Sequence, residues 1–141
     1  MSKDKEVFAE SSKRATLEHK QMVTKYLNLV IVELIKRAAE HDNSKLESPE
    51  VEYFDEYTPK LGTTTYNSEQ YREFLVALQP ALDHHYAVNR HHPQHFPDGV
   101  RGMNLVDLIE MLADWKASTM RQAGGNLLKS IHINATPEKF N

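Results

Sequence analysis

"ATLEHKQMVTKYLNLVIVELIKRAAE", residues 15–40, decides the fold class. Val23, Leu27, Val30, Leu34 and Ala38 recur at the spacing of one helix face, and Tyr26, Ile31 and Ile35 widen that stripe. No glycine or proline interrupts the run. Working outward, the same periodicity continues. "ESPEVEYFDEY" (47–57) starts a second helix, with Ser48 as cap and Pro49 at the first helical position. "TPKLGTTTYN" (58–67) reads as a loop, and its "LGTTTY" is the one weak strand signal. A third helix spans 68–89, with Pro80 as a break or kink. Residues 91–102, "HHPQHFPDGVRG", are irregular. "MNLVDLIEMLADWKASTMRQA" (103–123) is a helix capped by Asn104, with Asp107 in its first turn and Gly124 and Gly125 ending it. A short last helix runs through Ile131. The expected fold is all-α, a compact bundle of about five helices. It forms one domain over 1–141, with 1–12 flexible.

Bulk composition narrows the function. A net charge of −3 offers no electrostatic grip on long nucleic acid or an anionic membrane. The absence of cysteine excludes disulfides, thiolate ligands and cysteine nucleophiles, and fits a cytoplasmic location. The longest apolar run, "LVIV" (29–32), is far short of a membrane span.

Histidine is the residue type that stands out. Five of the eight histidines fall in "LDHHYAVNRHHPQHFPDG" (82–99). On a helix, His85, Asn89 and His92 share one face, and His84, Val88 and His91 the next. Pro93 disfavours a helical His92, so His91 and His92 sit at or past the helix end. A tandem pair there can serve two ions, or one ion and a substrate. Whether His84 or His85 faces the ion stays open, and a surface patch of histidines is the plainer alternative. "HDNSK" (41–45) places His41 and Asp42 at the end of the long helix, where both can reach one ion. Imidazole with carboxylate suits Mn, Fe, Co, Ni or Zn. Lys45, close to one turn on, can hold a phosphate oxygen. Asp107, Glu110 and Asp114 form an acidic stripe on one helix, which reads equally as a solvated face. Glu47, Glu50, Tyr53 and Tyr57 either line a pocket or belong to an amphipathic helix, and Tyr66 and Trp115 either stack on a base or pack in the core.

The order His19, His41-Asp42, histidine cluster, Asp114 resembles the HD-domain superfamily of metal-dependent phosphohydrolases. "HDNSK" is similar to the HDxGK-type segment of the HD-GYP phosphodiesterases, with Ser44 in place of Gly. "HHPQHFPDG" is similar to their HHExxDG segment, with Pro93 in place of Glu, and the GYP tripeptide is missing. "ADWKASTMR" looks like the helix carrying their last Asp. The whole chain most resembles a group of small HD-like proteins of bacteria and phages.

The resemblance implies an HD-like bundle with metal ligands His19, His41, Asp42, His85, His91, His92 and Asp114 around one or two divalent transition-metal ions. Asp42, Lys45 and Asn89 would serve catalysis, and Lys45, Arg90 and Arg121 would contact substrate phosphate. His19 is the awkward member. It precedes His41 by 22 residues, about 33 Å on a continuous helix. Either the helix bends, or a second protomer supplies His19, or His19 is an ordinary helix residue.

The expected function is hydrolysis of a small nucleotide or (cyclic) phosphodiester by metal-activated water. The alternative is a catalytically silent metal-containing module that binds a nucleotide or a protein partner. A third reading is a metal-free helical protein with a pH-sensitive histidine surface. The expected partner is a small phosphorylated substrate, with no long nucleic acid and no membrane, and homodimerisation through the first helix. The location would be the cytoplasm of a bacterium, or of the host cell of a phage.

Overall fold

Residues Lys3 to Glu40 contain no glycine or proline, and in the computed structural model they form one uninterrupted helix, α1. The structure describes residues 3–65, 68–120 and 126–134. Four further helices follow: α2 (Glu50–Thr63), α3 (Glu69–Val88), α4 (Leu105–Thr119) and α5 (Leu127–Asn134). Among the described residues there is no strand. The all-α reading therefore stands. Two units make up the chain: one ends at Ala39 and the other begins at Glu40. The first consists of α1, which includes residues 3–12. Its side chains Tyr26, Leu27, Leu29, Val32 and Ile35 are more than half exposed. No helix among the described residues is long and apolar enough to cross a membrane.

The second unit holds the chemistry. Helix α2 packs along α3, and the 3-10 turn Asn43–Leu46 lies against both. A second such turn, Pro93–His95, returns onto α3, and α4 packs on α5. Local physics explains where these elements begin. Ser68 caps α3 by accepting a hydrogen bond from the Tyr71 amide. Asn104 caps α4: its side chain accepts from the Asp107 amide, and the Asp107 carboxylate accepts from the Asn104 amide.

Four local expectations are corrected. Pro49 occupies the cap position of α2 and Ser48 does not, so the helix starts at Glu50. The 58–67 loop is helical as far as Thr63, and "LGTTTY" is not a strand within its described residues. Pro59 lies inside the helix, next to aromatic packing against α3. The Tyr57 and Phe74 rings lie 6.0 Å apart across α2 and α3, with the Lys60 ammonium 4.6 Å above Tyr57. Pro80 likewise sits inside α3 without ending it. Helix α4 stops at Thr119, and Gly124 and Gly125 lie outside the described residues.

The apolar core is small: Leu78, Ala81, Met103 and Met111. The largest fully buried side chains are instead His85, His91, Glu50 and Asp107. Burying four polar side chains is costly unless each is paired, so their partners explain how this unit holds together.

One glycine is fixed by space. A Cβ on Gly102 would stand 2.7 Å from the Phe96 Cβ. Phe96 in turn lies under the Arg90 guanidinium, at 4.9 Å from its ring centre. Gly102→Ala is therefore expected to destabilise the protein by about 1–3 kcal/mol through overpacking. Urea titration of both proteins would read it as a lower midpoint at unchanged slope, and equal midpoints would contradict the crowding.

Candidate metal centre

The site begins where α1 ends. Asp42 takes the left-handed backbone conformation, φ 58° and ψ 13°. Aspartate is one of the few residues beside glycine that tolerates this region. The turn directs the carboxylate inward, towards residues from the end of α3 and the segment behind it. Asp42 Oδ1 lies 3.3 Å from His85 Nε2 and 3.4 Å from His91 Nε2. His85 Nε2 lies 2.9 Å from His92 Nε2. On the other side of Asp42, Oδ2 accepts a hydrogen bond from Lys45 Nζ at 2.7 Å and lies 3.6 Å from His41 Nε2. His41 Nε2 is also 3.8 Å from Asp114 Oδ1 on α4.

These atoms fall into two ligand-capable groups that share His91: Asp42, His85, His91 and His92; and His41, His91 and Asp114. Two nitrogen or oxygen ligands about 2.1 Å from one ion lie about 3.0–3.4 Å apart at octahedral or tetrahedral angles. The separations of 2.9, 3.3 and 3.4 Å in the first group fit that spacing. The bonding inventory points the same way. Asp42 Oδ1 and His91 Nε2 are buried without a hydrogen-bond partner, a state native proteins rarely leave uncompensated. The residues present fit a divalent ion, and this buried His/Asp group could hold one.

Electrostatics keep two of the donors, Asp42 and His92, in ligand form. Burial works to raise the Asp42 carboxyl, but the Lys45 ammonium, which donates to Oδ2, favours its charged form. The group is held well below the usual carboxylate range. His92 moves the opposite way from a solvated imidazole. Burial first, then the neighbouring His91 and His85, depress it to about 2, so its ring is neutral and able to donate a lone pair.

The outer contacts come from two glutamates. Glu50, at the start of α2 and 0% exposed, accepts from His84 Nδ1 at 2.7 Å and from His85 Nδ1 at 2.9 Å. Burial raises its carboxyl, but His84, His85 and Ser44 bring it net below the ordinary glutamate value. Glu110 Oε1 on α4 lies 3.0 Å from His41 Nδ1 and 3.3 Å from His91 Nδ1.

The residues singled out by sequence sort as follows. His41, Asp42, His85, His91, His92 and Asp114 come together, with Lys45 beside them. Between His84 and His85, it is His85 that enters the group, while His84 binds Glu50 from outside. Asn89 donates to Ser44 Oγ at 2.8 Å and to the His85 carbonyl at 2.9 Å, which makes it a brace. Arg90 grips the buried Asp107 through Nε and Nη2 at 3.1 and 2.9 Å. Asp107 is thus buried on an ion pair, and neither a solvated face nor a simple helix-dipole role describes it. His19 lies exposed on α1, which is unbroken from Lys3 to Glu40, and it belongs to neither ligand-capable group. Arg121 and Tyr66 lie outside the described residues. Glu110 was legible only as part of an acidic stripe and Glu50 only as one of several pocket candidates. The signal for both is a glutamate on a helix that must face histidines.

Fold and site together define an all-α protein built around a buried histidine–carboxylate cluster able to hold a metal ion. The chain matches the family model DUF5662, a family of unknown function, over residues 9–141, and it belongs to that family. No curated protein and no solved structure matches it.

Proposed function

We propose that this protein is a metal-dependent phosphohydrolase of the HD type, acting on a small nucleotide or a related phosphodiester. The observation that carries the reading is the convergence of imidazole Nε2 atoms on Asp42, with Asp42 Oδ1 and His91 Nε2 buried and unpartnered. Asp42, His85, His91 and His92 would hold one divalent transition-metal ion, and His41 and Asp114 with His91 a second. A bound ion supplies Lewis acidity and acidified water to a phosphoester. The remaining work falls to the chain. Asp42, His41, Asp114 and Lys45 are each about a quarter to a third exposed, so the cluster opens to solvent on their side. Lys45 would stand there as a point charge against a phosphate oxygen. The carboxylate of Asp42, kept ionised, would balance the charge of the ions.

The test has two stages. Untagged protein purified without chelator is expected to carry near-stoichiometric Mn, Fe, Co, Ni or Zn, and His92→Ala less. The loaded protein is then assayed on nitrophenyl phosphomono- and diesters, nucleotides and cyclic nucleotides. Turnover lost on chelation and restored by metal supports the proposal. Bound metal without turnover of any ester favours the silent binding module, and no metal uptake at all sinks both.

A further inference from the structure

Glu50 and Glu110 occupy equivalent positions at the cluster. Each is a nearly inaccessible carboxylate, 0% and 9% exposed by side chain. Each faces the Nδ1 atoms of two histidines: Glu50 those of His84 and His85, Glu110 those of His41 and His91. In His41, His85 and His91 the opposite ring nitrogen, Nε2, faces the Asp42 carboxylate.

Counting hydrogens fixes the proton on His85. Three groups approach its Nδ1: Glu50 at 2.9 Å, Asn89 Nδ2 at 3.0 Å and Ser44 Oγ at 3.2 Å. Asn89 has two N–H bonds, and these go to Ser44 Oγ and the His85 carbonyl. The single Ser44 hydroxyl proton goes to Glu50 Oε2 at 3.0 Å. Neither group has a hydrogen left for His85. The Glu50 carboxylate only accepts. The proton is therefore on His85 Nδ1, which leaves a lone pair on Nε2, facing Asp42 and His92.

We propose that Glu50 and Glu110 are positioning residues of the metal centre: Glu50 holds His85, and Glu110 holds His41 and His91, through Nδ1, so that their Nε2 lone pairs are presented to the ion, while His84 braces Glu50 from outside. The proposal rests on the metal reading above and adds to it two residues that touch neither ion nor substrate. Ser44 and Asn89 complete the anchor at Glu50, which accounts for a Ser-x-x-x-x-x-Glu spacing running from the HD dipeptide into α2. Outer partners of this kind orient ligands and raise their basicity, and losing one commonly lowers metal affinity about 10–100-fold.

The experiment uses the full-length protein and two readouts. Long-range 15N–1H spectra of the metal-free protein report which ring nitrogen of each histidine carries the proton. Titration with Zn2+ and with Mn2+ reports affinity. In wild type, His84 and His85 are expected as Nδ1–H tautomers. Glu50→Gln keeps the shape but can donate as well as accept. It is expected to shift His85 towards the Nε2–H tautomer and to weaken both metals about 10–100-fold, with Glu50→Asp in between. A merely structural glutamate would leave the tautomer unmoved. An Nε2–H His85 in wild type, or unchanged affinity in Glu50→Gln, overturns the proposal. Wild type that shows the Nδ1–H tautomer yet takes up no metal overturns the metal reading and, with it, this role. Should Glu50→Gln fail to fold, Glu110→Gln carries the same test at His41 and His91.

Discussion

Asp42→Asn is expected to lose the metal while keeping the fold. Among the four ligand-capable side chains of the first group, Asp42 is the only carboxylate; the others are neutral-capable imidazoles. Its two oxygens also face different groups: Oδ1 meets His85 and His91, and Oδ2 meets His41 and Lys45. Replacing the carboxylate by an amide removes the negative charge that balances a dication and places an N–H₂ on one of those sides. Affinity should fall at least about 100-fold, the upper end of what losing a mere outer partner costs. Asparagine is isosteric and tolerates the left-handed conformation of residue 42, so the backbone turn survives. Metal analysis of the purified variant and a chelator-competition titration would measure the loss, with circular dichroism showing that the helices remain. Wild-type metal content in Asp42→Asn would overturn the assignment of Asp42 as a ligand.

The comparison with Lys45→Ala sharpens this. Lys45 donates to Asp42 Oδ2 at 2.7 Å but is itself a third exposed, and it is a competitor for the carboxylate as much as a partner. Its removal is therefore expected to leave metal content near wild type and to weaken any phosphoester turnover, the opposite pattern to Asp42→Asn. A fall in metal content as large as that of Asp42→Asn would show that Lys45 holds the carboxylate in place for the ion.

Much of this site was legible in the amino-acid order, and the physical reason is local. His41 and Asp42 are neighbours at a helix end, and His91 and His92 are neighbours forced out of the helix by Pro93. Short-range rules of this kind need no knowledge of packing. The choice between His84 and His85 could not be made that way. Adjacent helix positions point about 100° apart, and which one faces Asp42 depends on how α3 rolls against α2 and the 43–46 turn. Glu50 and Glu110 were obscured for a different reason. Each sits in a helix among other acidic residues, Glu47 and Glu52 in one case and Asp107 and Asp114 in the other. Amphipathic patterning reads such residues as solvated, because burying a carboxylate is unfavourable without a partner. The partners are histidines 19 to 69 residues away in sequence. The extension of α2 through Pro59 was not legible either, because proline reads locally as a breaker and the packing of α2 on α3 lies outside that rule. His19 is a separate case: its place in a motif is visible in sequence, but α1 carries it in one unbroken helix up to Glu40, and it joins neither ligand-capable group.

Asp107→Asn is expected to produce a large loss of stability, and it tests the polar core independently of metal. Asp107 is 0% exposed. Its carboxylate accepts both forks of Arg90 and the Asn104 amide, and its own amide donates to the Asn104 side chain. One side chain thus ties the segment after α3 to the first turn of α4. Arg90 immediately precedes His91 and His92, and α4 carries Glu110 and Asp114, so the same clasp sets the spacing of the ligands. Breaking a buried ion pair by removing one partner costs about 3–5 kcal/mol. Arg90 is 42% exposed by side chain and can recover water, so the lower end, about 3 kcal/mol, is the appropriate expectation. For a chain of this size that is a fall in Tm on the order of 10 °C. The measurement is made on chelator-treated protein, so that loss of metal does not contribute. Arg90→Leu should cost at least as much, because it removes the counter-charge of a fully buried carboxylate, and the double variant should cost less than the sum of the two singles. A shift in Tm of only a degree or two in Asp107→Asn would mean that the clasp does not hold α3 and α4 together, and the ligand spacing would then have to be set by the glutamate contacts alone.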